Sequence, residues 1–369
     1  LQSIGRVIST KNTLPILDNF LFDLRGNELN ITASDLETTL VTTIDLENVT
    51  DEGKVAVPAR ILTDMLKEFP EQPLTFNINM ETLGIELNSE NGKYNLVGQN
   101  PEDFPQLPEI KSEQETQLQV ASELIYQGID KTIFATAEDE LRPVMNGIYV
   151  ELTTENLTFV ATDAHKLVRY RRQDVSPGEE SSFIFPKKPA SLIRNILSKE
   201  ESQVEVRFDD KNVQFVLPKY KLISRLTEGN YPNYDSVIPS DNPYKLTIDR
   251  LEFYNTIKRV AVFSNQASNL IKLSLEGNQV TVSAQDIDFS VSGRETLNCQ
   301  YEGENMEIGF KSSFLLEILA SLNAREVLME LSDPSRAGLL YPVEKDNEDE
   351  DILMLLMPMM VESDSEEEV

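Results

Sequence analysis

The sequence predicts an α+β protein built from three domains of one topology, each with antiparallel sheets and two helices. Three observations predict it. A length of 369 residues calls for two or three domains rather than one. A hairpin pattern occurs three times, and each occurrence is followed by a segment with helical spacing of apolar residues. The hairpins are LPILDNFLFDLRGNELNITASDLE from Leu14, RPVMNGIYVELTTENLTFVATDAHK from Arg142 and NLIKLSLEGNQVTVSAQDID from Asn269. Each reads as an alternating strand, a polar turn, a second alternating strand and an aspartate: Asp35, Asp163 or Asp286. The period of roughly 125 residues is that of a domain, not of a solenoid repeat.

The helical segments are Val57–Phe69, Phe185–Leu197 and Phe310–Leu322. In the first, Ile61, Leu62, Met65, Leu66 and Phe69 mark the expected apolar face. Pro58 and Pro186 suit a helix start, where a missing N–H costs nothing. A strand follows each helix: LTFNINM, QVEVRFD and EVLMELS. A further helix precedes each hairpin, at Leu124–Phe134 and Leu251–Val262, with Leu1–Ile8 as the first copy's remnant. An N-terminal piece is therefore expected to be missing from the first domain. The closing strands begin at Tyr94 and Tyr220, and the third copy ends in ILMLLMPMMV. Breaks at the Pro- and charge-rich stretch Pro105–Glu115 and at Val237–Pro243 divide the chain into residues 1–111, 112–240 and 241–369.

Thirty-three basic against 63 acidic residues leave a net charge of −30. Part of the excess is local. The run Asp346–Asp351 and the tail Glu362–Glu368 read as solvated, mobile segments; without them the formal charge is still about −20. Any nucleic-acid contact must use a segregated basic face. A single cysteine, Cys299, permits no intrachain disulfide and suits a cytoplasmic setting. No segment has the run of about 20 apolar residues that spans a bilayer, so no membrane partner is expected. No signal sequence is visible.

No catalytic constellation assembles. His165 is the only histidine, so a multi-histidine metal site is excluded and neither metal nor cofactor is expected. GxSxG, Walker A and GxGxxG segments are absent. Asp163 and His165 would share a face of a strand, but no motif places a nucleophile beside them. The three repeat aspartates read best as turn or cap residues at strand ends. The chain reads as a scaffold, not an enzyme.

Three local motifs add to the repeat: TLPIL at Thr13–Leu17, ATDAHKL at Ala161–Leu167 and LMPMM at Leu356–Met360. VPAR at Val57–Arg60, the turn Tyr231–Pro239 and MEIGF at Met306–Phe310 support them. Together and in this order they resemble the beta sliding clamp of bacterial DNA polymerase III over essentially the whole chain. The resemblance implies a head-to-tail homodimeric ring of DNA-clamp domains, with sheets outside and helices lining the hole. It implies a processivity factor that encircles duplex DNA, without base recognition, and tethers the replicative polymerase. The clamp loader and other proteins carrying clamp-binding motifs would be further partners, in a cytoplasmic, nucleoid-associated setting. A partner-peptide pocket is implied at Val144, Thr162, His165, Lys166, Leu167, Pro232, Val237, Met357, Pro358 and Met359. DNA-facing residues are implied at Lys11, Arg60, Lys187 and Lys188, and the resemblance adds Phe104 as a dimer contact. Val262 and Phe263, in the apolar VAVF near the start of the third domain, are the other dimer-contact candidates.

Basic residues in or beside the expected helices agree with an inner basic face: Arg6, Arg60, Lys67, Lys131, Lys187, Lys188, Arg194, Lys258 and Arg259. The sequence departs from the family at Ala164, usually glycine, at Lys166, usually arginine, and at Met360, usually basic. Ser236 lies where some members carry arginine. These departures bear on peptide preference rather than fold. An acidic, multidomain protein-binding scaffold that never meets DNA is the alternative reading.

Overall fold

Alternation sets the first hairpin. Phe20 and Phe22 of the strand Asn19–Arg25 are buried while Arg25 is exposed. This strand pairs antiparallel with Glu28–Ser34, Arg25 opposite Glu28, across a two-residue turn in which Gly26 takes a φ of 56°. Only glycine adopts that backbone without a Cβ penalty. Gly147–Leu152 with Leu157–Thr162, and Leu270–Glu276 with Gln279–Asp286, repeat the unit. The computed structural model describes residues 1–108, 110 and 115–361. The acidic tail lies outside them, as does part of the expected first domain break.

The chain divides into two compact units: residues 1–126 with 185–228, and residues 127–184 with 229–369. Neither unit is a sequence repeat, because strands of successive repeats pair with each other. In the first unit, the third strand of repeat one, Thr38–Asp45, pairs with the last strand of repeat two, Tyr220–Arg225. An eight-stranded sheet results, in the order Gly53–Pro58, Asn19–Arg25, Glu28–Ser34, Thr38–Asp45, Tyr220–Arg225, Asn212–Val216, Gln203–Phe208, Thr116–Ala121. In the second unit, Lys166–Arg172 of repeat two pairs in the same way with Glu350–Leu356 of repeat three, at the centre of a nine-stranded sheet.

Two smaller sheets stop short of this pattern. Val291–Asn298, the third strand of repeat three, lies at the edge of a four-stranded sheet, and Lys93–Val97, the last strand of repeat one, at the edge of a three-stranded one. Both carry mainly exposed side chains.

The helices following the hairpins are Ala59–Lys67, Lys187–Leu197 and Ser312–Ser321. Pro58 and Pro186 end the preceding strands and stand at the N-caps of the first two, and Lys311 does so for the third, so each helix starts where a strand stops. Leu62 is fully buried, as its spacing predicts, but Ile61 is 57% exposed and does not belong to the core. The helices before the hairpins are Ser122–Thr132 and Arg250–Val260, with only Gln2–Gly5 in the first copy.

The acidic run Asp346–Asp351 is only partly solvated: Asp346, Glu348 and Asp349 are exposed, but its end is built into a strand. Glu350 and Asp351 begin the strand Glu350–Leu356 beside the basic strand Lys166–Arg172. There Tyr170 Oη donates to Glu350 at 3.2 Å, and Arg169 pairs with Asp351 at 2.9 Å.

Candidate functional site

The repeat aspartates set the local geometry. Oδ1 of each accepts the backbone N–H groups two and three residues on. Asp35 takes Glu37 and Thr38 at 3.1 and 2.7 Å, Asp163 takes His165 and Lys166 both at 2.9 Å, and Asp286 takes Asp288 and Phe289 at 3.0 and 3.3 Å. These are Asx turns, the role expected of them. Asp163 and His165 therefore stand on a turn, not on one face of a strand.

The Asp163 turn organises the second unit's candidate peptide site. Thr162 is buried; its Oγ1 donates to the Lys166 carbonyl at 2.8 Å and accepts from Ala164 N at 3.1 Å. Ala164 holds a φ of 75°, the left-handed region that glycine tolerates best. The exposed ring of His165 stacks on Phe314, centroids 5.9 Å apart. Lys166 turns inward: its side chain is 5% exposed, with Nζ 3.1 Å from Asp163 and 2.8 Å from Glu317, 4.2 Å above the Phe314 ring. Its charge is committed to the fold, and it braces the turn.

Leu167 follows on the buried side. It packs with Val160, Tyr234, Ala337, Leu339, Leu353 and Leu355, and Tyr149, Tyr231, Ile238 and Tyr341 lie against that cluster. Tyr149 and Tyr231 stack at 4.8 Å, and Tyr234 Oη donates to Glu151 at 2.7 Å. Burial pushes the phenols of Tyr231 and Tyr234 above the ordinary tyrosine range. Pro232 and Val237 ride on this tyrosine segment, both exposed. Val144 lies against Gly229, where φ is 127° and a Cβ would come within 2.8 Å of its methyl. Met357 N donates to the His165 carbonyl and Met359 N to the Gly309 carbonyl, each at 2.8 Å. Met357 is 41% exposed, while Pro358 and Met359 are half-buried. The backbone thus fixes the Met-Pro-Met segment beside an apolar floor, leaving flexible thioethers at its rim. Sequence reasoning missed Phe314 and the tyrosines; their signal is their spacing, Phe314 at the third position of its helix and Tyr231 and Tyr234 flanking Pro232.

The basic set is less uniform than its positions in sequence suggest. Lys11 and Arg60 are exposed, the Arg60 side chain at 94%. Lys187 and Lys188 open the helix Lys187–Leu197. Lys188, however, pairs with Asp35 and donates to the Val7 carbonyl at 3.0 Å. Lys131 is buried and donates to the Ser321 carbonyl at 2.9 Å, so it cannot belong to a basic surface. Arg259 is tied to Glu295 at 3.0 Å.

Among the dimer candidates, Phe104 is 6% exposed and packs with Ile16, Leu17 and Ala56. Its side chain packs largely within its own unit, with little surface left exposed. Val262 is 78% and Phe263 39% exposed. The Phe263 ring lies on Gly293 of the edge strand Val291–Asn298, where a Cβ would meet it at 2.5 Å. On the other open edge, Tyr94 and Val97 are 37% and 71% exposed, and sequence reasoning had passed over them. Burial pushes the Cys299 thiol up, as for a structural cysteine. Among the described residues no group of three His, Cys, Asp or Glu could hold a metal ion, and no helix is long and apolar enough to cross a membrane.

Compared with known families, residues 1–108 match the N-terminal domain of the DNA polymerase III beta subunit, 119–233 its central domain and 235–360 its C-terminal domain. A beta sliding clamp of Staphylococcus epidermidis is 29% identical over 369 residues, covering 97% of this chain and 96% of the relative. One from Staphylococcus aureus is 28% identical over 367 residues with the same coverage. Among solved structures, a DnaN sliding clamp from Pseudomonas aeruginosa is similar with a TM-score of 0.91 at 27% identity, over 98% of this chain and 96% of that one. Its counterpart from Bartonella birtlesii gives 0.90 at 28%, with the same coverage. Three domains of one subunit, matched in order along nearly the whole chain, establish that this protein belongs to the DNA polymerase III beta subunit family, the beta sliding clamps.

Proposed function

We propose that two copies of this chain close head to tail into a ring that encircles duplex DNA and tethers a polymerase to it, with no reaction of its own. The observation that carries the ring is the repeated junction. Twice, the third strand of one repeat pairs with the last strand of the next. The remaining third strand, Val291–Asn298, and the remaining last strand, Lys93–Val97, are open edges. A second copy supplies each with its missing partner, and the two contacts then leave neither of these edges free. Val262 and Phe263 belong to this contact with Tyr94 and Val97, and Phe104, mostly buried in its own unit, offers it only a small surface.

DNA is held by enclosure. Lys11, Arg60 and Lys187 face it, with Lys188 contributing only what its pairing with Asp35 leaves. A chain with a net charge of −30 gains little from phosphate neutralisation, so its direct affinity for a short linear duplex is weak, sequence-independent and salt-sensitive. Polymerase, clamp loader and other partners dock by short extended peptides on the floor of Leu167, Tyr234 and Leu355. Val144, Pro232, Val237, Met357, Pro358 and Met359 form the rim, His165 sits beside it, and Thr162 and Lys166 hold the turn. The cytoplasm, at the nucleoid, is the setting this reading requires.

The test is topological. Protein loaded onto a nicked circular duplex stays bound through a salt wash and is released when the circle is linearised. Retention on the linear form would overturn the reading. Dimers that never stay on the circle would favour an acidic protein-binding scaffold.

A further inference from the structure

The two junctions inside the chain share more than strand pairing. In each, the Asx turn after the second strand meets the start of the next repeat's helix. In the first unit, Asp35 pairs with Lys188, the second residue of the helix Lys187–Leu197. In the second, the His165 ring stacks on Phe314, the third residue of the helix Ser312–Ser321.

The third turn has the same aspartate geometry and a different tip. Ile287 and Phe289 each stand 75% exposed. Single exposed apolar residues are ordinary, but two on one short turn are not. The remaining helix start is that of Ala59–Lys67. Its second residue is Arg60, in the position of Lys188, and its third is Ile61, in the position of Phe314. Among the described residues Arg60 pairs with Asp64, at 3.9 Å, and Ile61 is 57% exposed although its spacing assigns it to a core.

We infer that the turn Asp286–Ser290 of one copy seats on the start of the helix Ala59–Lys67 of a second copy, with Phe289 packed on Ile61. This rests on the ring reading and adds to it a side-chain contact beyond the paired edge strands. A second copy is the occupant because the chain contains this contact twice already. The turn also runs directly into the open edge Val291–Asn298, so one approach engages both. Charge agrees, since the exposed Asp288 would face Arg60.

Full-length Ile61→Ala, Phe289→Ala and the double variant test the contact through the dimer dissociation constant, measured by sedimentation. Both side chains are exposed, so the circular dichroism of the folded chain should stay unchanged. Each single variant is expected to weaken the dimer about tenfold, the loss being shared between the two junctions of a ring. The double variant should weaken it little more than the stronger single one, because either substitution removes the same contact. Multiplicative losses, or a single variant with unchanged affinity, would overturn the contact while leaving the ring. A wild-type chain that stays monomeric would overturn both.

Discussion

The Asp35 and Asp163 turns are the same piece of backbone with different side chains at the tip. Both are closed by an aspartate accepting two N–H groups, and both meet the next repeat's helix. At Asp35 the bridging charge is Lys188, whose side chain is about half exposed at 48%. At Asp163 it is Lys166, buried at 5% between two carboxylates and a ring. One turn thus leaves its cation at the surface. The other draws its cation inward and presents His165 and the Met-Pro-Met segment instead. Repetition fixes where a junction forms, and tip chemistry decides what it can bind.

The largest expected effect falls on the second of these turns. Deleting Met357–Val369 removes the donors to His165 and Gly309 together with the thioethers at the rim. Binding of a polymerase-derived peptide should be lost in calorimetry, whereas deleting only residues 362–369 should change it little. Equal affinities for the two truncations would move the peptide site elsewhere.

Next comes the contrast between the two lysines. Lys166→Ala leaves Asp163 short of its cation in a largely buried setting and should cost about 3 kcal/mol in urea unfolding. Lys188→Ala removes a half-exposed pair and should cost less than about 1 kcal/mol. Comparable losses would mean that the two tips are not distinct. The smallest effect concerns Ala164, at a φ of 75°. Ala164→Gly should raise stability by roughly 1 kcal/mol through relief of left-handed strain. Peptide affinity should stay unchanged, since Ala164 is not part of the proposed rim.

Much of this was legible in the sequence because it is local. Alternation and turn residues placed the hairpins, and the repeat identified Asp35, Asp163 and Asp286 as equivalent turn residues. What was hidden depends on distant partners. The acidic run Asp346–Asp351 looks solvated until the strand Lys166–Arg172, far away in the chain, supplies Arg169 and Tyr170. Lys131 and Lys166 look like surface cations until Ser321 and Glu317 arrive from the third repeat. Helical spacing assigned Ile61 to the core, but it stands 57% exposed, whereas Phe104 is largely buried within its own unit. At the proposed peptide site, the motifs supply the proposed rim, while the tyrosine cluster and Phe314 emerge only from packing.

The central claim is that a junction made twice within the chain is made a third time between chains. Hydrogen exchange of the edge-strand amides, followed across protein concentration, tests it most directly. Backbone N–H groups of Lys93–Val97 and Val291–Asn298 that now face outward should exchange rapidly in dilute protein and become protected together as concentration rises. Those of the paired strands Thr38–Asp45 and Tyr220–Arg225 should stay protected throughout. Edge-strand exchange that remains rapid at every concentration, in a protein that sediments as a dimer, would contradict it.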